Sequence, residues 1–149
     1  MAAFASLTVK KLAEFNKFAT AADFSGITTA VASNGAGTAA YGAYFSAKGA
    51  DNKYLILVQN TNSTANADPL PVTIKAGNAL QGNKDITVSL ANGKFSYITV
   101  ESGRFKNISE NDTLKALSSA TSGDQVSAKG KIFILGGGTY IKVAVFELP

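Results

Sequence analysis

An Asn-Gly pair at positions 92 and 93 sits between two runs of strand character, and this is the most constraining local pattern in the chain. Asp85-Ile-Thr-Val-Ser-Leu90 places Ile86, Val88 and Leu90 on one side and Asp85, Thr87 and Ser89 on the other, as a half-buried strand does. Lys94-Phe-Ser-Tyr-Ile-Thr-Val100 follows the pair. Asn-Gly suits a type I′ turn, which needs positive φ at both central residues, so the sequence predicts a hairpin here.

Similar segments fill the chain from Lys53 onward. Tyr54-Leu-Ile-Leu-Val58 is a continuous apolar run, expected to be a strand covered on both faces. Leu70-Pro-Val-Thr-Ile74 alternates, with Pro71 confining its beginning to an edge or to the first residues of a strand. Lys131-Ile-Phe-Ile-Leu135, Gly136-Gly-Gly138 and Thr139 to Leu148 read as a second hairpin whose last strand lies centrally in a sheet. Between them, residues 107–129 are polar, and Asp112 is a candidate cap for a short helix carrying Leu114 and Leu117. Short strands at this spacing, without a long amphipathic helix, predict an all-β fold: a single antiparallel β-sandwich or β-barrel-like domain with an extended N-terminal arm and at most short helices.

Residues 1–52 have a different texture, rich in Ala, Gly, Ser and Thr with scattered Phe and no sustained period. Residues 1–23 are expected to be the arm, with Leu7 and Val9 alternating as in a short strand and Leu12, Phe15 and Phe18 or Ala19 sharing a face of a brief helix. Residues 24–52 read as an irregular segment packed on or linking to the core, and 53–149 as the β-domain with its polar insertion.

At 149 residues the chain is one domain long, and it holds no His, Cys or Trp. Ser-His-Asp and Cys-His catalysis, Cys/His zinc sites, His-ligated haem and thiol redox chemistry each lose a required residue. The expectation is a protein that is not an enzyme and takes no cofactor or metal. Fourteen Lys+Arg against ten Asp+Glu give +4, spread along the chain with Arg104 as the only arginine. This favours an acidic partner surface without forming a nucleic-acid footprint. No apolar run approaches the ~18 residues of a membrane span, and the first residues lack the order of a secretory signal, so cytoplasmic synthesis is expected.

Several constellations resemble chemical motifs and fail on spacing. In Gly77-Asn-Ala-Leu-Gln-Gly82-Asn-Lys84, Asn83 separates the lysine from the glycine a P-loop requires before it, and Asp85 replaces Ser or Thr. Gly35-Ala-Gly37 opens no helix of dinucleotide-binding type. Asn60-Thr-Asn62-Ser-Thr64-Ala-Asn66-Ala-Asp68 spaces oxygens as calcium loops do, but Ala65 and Pro71 occupy the glycine and glutamate positions, so a metal-free loop is expected. Asn62-Ser-Thr64, Asn107-Ile-Ser109 and Asn111-Asp-Thr113 match the glycosylation pattern by composition.

The order of elements carries a resemblance. A strand ending in Val58-Gln-Asn60, then Val72-Thr-Ile-Lys-Ala-Gly77, Ile86-Thr-Val-Ser-Leu90 with its glycine turn, Glu101-Ser-Gly-Arg-Phe105, Lys129-Gly-Lys-Ile132 and Ile141-Lys-Val-Ala-Val-Phe-Glu-Leu148 follow one another. Together with Leu7-Thr-Val-Lys-Lys-Leu12, this series resembles the small head proteins of tailed bacteriophages that decorate or cement the capsid. The resemblance implies a non-enzymatic virion protein on the outer capsid surface, with the major capsid protein as partner, self-association as a homotrimer, and no direct contact with nucleic acid or membrane. Phe4, Leu7, Val9, Lys10 and Lys11 are expected to dock the arm, by adding a strand to a neighbouring sheet edge. Arg104 and Phe105 are the expected intersubunit or capsid contact. The competing expectation is a carbohydrate- or cell-surface-binding β-sandwich of a phage tail or fibre, using Tyr41 and Tyr44, against which the lack of Trp counts.

Overall fold

The computed structural model describes residues 4–11, 24–27, 30–31, 40–79, 84–114 and 126–149. The strands are β1 (Ala5–Ser6), β2 (Val9–Lys11), β3 (Ser25–Gly26), β4 (Ala30–Val31), β5 (Ala40–Ser46), β6 (Lys53–Asn60), β7 (Leu70–Ile74), β8 (Ile86–Leu90), β9 (Phe95–Glu101), β10 (Lys131–Gly136) and β11 (Ile141–Glu147), with one helical turn, α1 (Ser102–Phe105). They form a two-sheet sandwich. One sheet runs β1-β5-β10-β7-β8 with β4 also beside β5, and the other runs β2-β11-β6-β9 with β3 also beside β11.

Alternation along each strand builds the core. Tyr54, Ile56 and Val58 of β6, Ile98 and Val100 of β9, and Val143 and Val145 of β11 face Phe45, Val72, Ile74, Leu90, Ile132 and Ile134 of the opposite sheet. β11 is central, with β6 on one side and β2 and β3 end to end on the other. Leu55 and Leu57 depart from expectation. They are only half-buried, because β6 is covered on its inner face while its outer face is partly open.

Neither expected hairpin forms. β8 pairs with β7 and β9 with β6, so the Asn92-Gly93 turn carries the chain from one sheet to the other. The Lys94 N–H bonds the Ala91 carbonyl at 3.1 Å, and Gly93 has φ +69° while Asn92 is not in the positive region. A single positive φ at the third residue belongs to a type II turn, not to I′. Gly136 to Gly138 likewise leads from β10 in one sheet to β11 in the other. A Cβ on Gly137 would lie 2.4 Å from Pro71 Cδ, so this connection is packed against β7 and is no loose turn.

Two expectations for the first third are corrected. Residues 40–46, read as part of an irregular segment, form β5, which pairs with β10 from Tyr41↔Gly136 to Ser46↔Lys131 and buries Ala43 and Phe45. Ala and Gly are poor strand formers, and here packing between the sheets overrides that preference. The described part of the expected arm, residues 4–11, lies along the chain's own domain. β1 runs parallel to β5 and β2 parallel to β11. The brief helix at Leu12, Phe15 and Phe18 falls outside the described residues.

Candidate functional site

The Glu101–Phe105 segment is built as one fixed turn that displays one cation. Ser102 is buried, its N–H bonding the Asn52 carbonyl at 2.8 Å and its hydroxyl the Gly49 carbonyl at 3.1 Å. Gly103 passes so near the 48–52 loop that a Cβ would stand 2.8 Å from the Ala50 carbonyl oxygen. On the other side the Arg104 carbonyl accepts the Gly77 N–H, and Gly77 has no room for a side chain beside the Lys106 backbone. Phe105, expected as a contact residue, is buried in the central core. Arg104 stays out, its side chain 54% exposed with Nε 3.6 Å from an oxygen of the likewise exposed Glu101 carboxylate. Lys53 Nζ lies 4.0 Å from the other oxygen of that carboxylate.

A groove of about 490 Å³ runs beside this turn, lined by Ile86 of β8, Thr99, Val100 and Glu101 of β9, Lys53, Arg104, Phe105 and Leu148. It lies where the free edges of the two sheets adjoin. Next to it, β9 turns Phe95 (75% exposed) and Tyr97 (69% exposed) into solvent.

Of the five residues expected to dock an arm, Leu7, Val9 and Lys11 line one groove of about 230 Å³ with Lys48, Tyr54 and Glu147, while Phe4 lies apart. Phe4 is buried on the outer face of the β5–β10 sheet, edge-on to Phe133 with ring centroids 4.8 Å apart. Leu7 is buried in the central core, its N–H on the Tyr44 carbonyl at 2.8 Å. Both are packed within their own chain. Val9 packs partly against the core, Lys10 is half-buried in the β2–β11 ladder, and only Lys11 is exposed. Among the described residues, the groove lined by Leu7, Val9 and Lys11 shares no residue with the one beside Arg104.

The polar insertion contributes to packing. Leu114 and Ala128 join Phe4 and Phe133 in a second apolar cluster, with Tyr44, Val126 and Leu135 against it. Asn111, and not Asp112, caps the helical turn that begins at residue 112, its Oδ1 accepting the Leu114 N–H at 3.2 Å. Leu117 falls outside the described residues. Asn78 fastens the insertion by donating to the Ser109 hydroxyl at 3.0 Å and accepting the Ile108 N–H at 2.8 Å. Tyr44 is half-buried, with the Phe133 ring centroid 5.8 Å away and Lys131 Nζ 5.2 Å from its own ring centroid. Tyr41 has backbone pairing alone to describe.

The asparagine-rich loop is self-bonded. Asn60 Oδ1 accepts the Asn62 N–H at 3.0 Å, Asn62 Oδ1 accepts the Thr64 N–H at 2.9 Å, and Asn92 Nδ2 donates to the Thr64 carbonyl at 2.7 Å. These oxygens serve as Asx-turn acceptors. The surface features that sequence reading missed are Phe95 and Tyr97, whose aromatic side chains at strand positions look the same whether they face a core or solvent.

No protein-family model, curated protein or solved structure matches this chain.

Proposed function

We propose that this chain is a non-enzymatic structural protein that binds the outer surface of an icosahedral phage capsid through its major capsid protein and stabilises the shell. The observation that carries this reading is the Glu101–Phe105 turn. Ser102, Gly103 and Phe105 are all engaged in fixing it, and the product is a rigid platform holding Arg104 at the surface beside a groove. A decoration protein needs rigid placement of contact groups and no chemistry, and a planar guanidinium suits bidentate recognition of a carboxylate on an acidic shell. The net charge of +4 acts in the same direction. On a symmetric lattice, weak contacts of this kind multiply through effective concentration.

The test is co-sedimentation of the full chain with capsids. Wild type is expected to pellet with them, and Arg104→Glu to lose at least about tenfold in apparent affinity, the loss expected when a buried charge-assisted contact of about 1.4 kcal/mol or more is broken. An Arg104→Glu chain that unfolds at the wild-type temperature and still binds undiminished would remove Arg104 from the contact. Absence of wild-type binding would remove the reading itself.

A further inference from the structure

Among the described residues, β9 is an uncovered sheet edge. The Asn60 N–H bonds the Lys94 carbonyl at 2.9 Å and the Ser102 N–H bonds the Asn52 carbonyl at 2.8 Å, which fixes the alternation of the ladder between β6 and β9. In an antiparallel pair such bonds recur at every second residue. The even-numbered residues of β9 therefore address β6, and the backbone N–H and C=O groups of Phe95, Tyr97, Thr99 and Glu101 point the other way. Among the described residues no strand lies on that side.

Native proteins blunt such edges with Lys, Pro, bulges or short length. The opposite edges of this sandwich are covered by β1 and β4 in one sheet and by β2 and β3 in the other. β8, the remaining edge of the first sheet, is short and exposes Thr87 and Ser89. β9 is seven residues of Phe-Ser-Tyr-Ile-Thr-Val-Glu, strong strand formers from Tyr97 to Val100, with two aromatic side chains in solvent.

We infer that β9 is the joint for a second copy of this chain, paired antiparallel across a two-fold axis at Ile98 so that one sheet continues through both protomers. The strand is complementary to itself in this register. Phe95 stands opposite the partner's Glu101 and Tyr97 opposite the partner's Thr99, so each free backbone group of Phe95, Tyr97, Thr99 and Glu101 meets a counterpart. Tyr opposite Thr is a favourable aromatic and β-branched pair. Charge sets the direction: Lys94 precedes the strand and Glu101, which already faces Lys53 and Arg104 of its own chain, ends it. The antiparallel arrangement brings Lys94 of one copy toward the Glu101 carboxylate of the other, whereas a parallel one would set Glu101 against Glu101. On the outer face, Tyr97 adjoins Leu57 and Thr99 adjoins Leu55, giving an apolar strip that the partner's Tyr97 extends.

This goes beyond the capsid reading and stands without it, and it predicts a two-fold contact in place of the three-fold association implied by the resemblance. The experiment is sedimentation velocity of the full chain without capsids. The expected mass is twice the 15.4 kDa of one chain. Thr99→Pro removes an edge N–H that the β6 ladder does not use, and Tyr97→Lys places a charge on the edge. Both are expected to halve the mass and to abolish the concentration dependence of the melting temperature. If Thr99→Pro fails to fold, Tyr97→Lys decides. The register is read separately in this cysteine-free chain. A mixture of Tyr97→Cys and Thr99→Cys chains is expected to form the crossed disulfide faster than either forms with itself, because directly opposite residues approach to about 5.5 Å between Cα atoms. A wild-type monomer or trimer, a dimer unaffected by both variants, or preferential Tyr97→Cys self-crosslinking overturns the inference.

Discussion

Asp85 ties the ends of β7 and β8 together from a position just outside both strands. Its Oδ1 accepts the Ala76 N–H at 2.7 Å and its Oδ2 the Lys75 amine at 2.5 Å. Burial pushes its carboxyl up, but the Ala76 N–H and the adjoining Lys75 ammonium together outweigh burial and hold it below the ordinary aspartate value. A carboxyl lowered in the folded state stabilises the fold above its unfolded pKa, and that contribution is lost as pH falls through the folded value. Asp85→Asn is therefore expected to be less stable than wild type at neutral pH, with the difference closing as pH drops below about 3.9. Urea titrations at several pH values measure it. A gap that persists unchanged in acid would mean that the carboxylate charge plays no part. The side chain is partly exposed, so screening keeps the effect modest. The alternation that placed Ile86, Val88 and Leu90 on one face was legible in sequence. The Lys75–Asp85 pair was not, because it depends on which strand β8 chooses as neighbour.

Turn chemistry marks where the chain reverses and leaves undecided which sheet it enters next. Asn92-Gly93 and Gly136 to Gly138 were both readable as turns, and both join strands of different sheets. Distant residues make the choice. Buried Asn60 in β6 gives its Nδ2 to the Leu90 carbonyl at 2.9 Å and its N–H to the Lys94 carbonyl at 2.9 Å, which pins the end of β8 and the start of β9 to the edge of the β6 sheet. The two glycine turns should consequently respond differently to alanine. Gly93 has open space around its Cβ position and only its φ of +69° to satisfy. Its alanine variant is expected to cost about 1–2 kcal/mol, the strain of a left-handed L-residue. Gly137 is packed against the Pro71 ring, and its N–H bonds the Pro71 carbonyl at 2.8 Å. Gly137→Ala must shift β7 and is expected to cost about 1–3 kcal/mol, with a larger variant such as Gly137→Val costing more. At position 93, alanine and valine should both show mainly backbone strain. Equal size dependence at the two positions in denaturant unfolding would show that the β10–β11 connection is as loose as its composition suggests.

The sandwich is completed at its β5 and β11 edges by the start of the chain. β1 and β4 cover β5 and β2 and β3 cover β11, so strands from both the expected arm (residues 1–23) and the segment after it (24–52) close the two sheets. These strands span two or three residues each and pair with positions far along the chain, Ala5 with Ala43 and Val9 with Val145. A segment that short shows no period, which is why the second half of the fold was legible in sequence and the first third was not. The energetic consequence falls on Phe4 and Leu7, which plug the outer cluster and the central core. Leu7→Ala is expected to cost about 2–5 kcal/mol and Phe4→Ala about 3–5 kcal/mol, as buried truncations do. Denaturant midpoints should fall with little change in slope. Removing residues 1–12 should do more than either substitution, because it also bares the β5 and β11 edges and invites edge-to-edge aggregation. A truncated chain that stays monodisperse with a wild-type midpoint would show that the segment is peripheral. If it instead aggregates, capsid binding has to be dissected with surface substitutions at Arg104, since any truncation of the first strands reports on folding before it reports on docking.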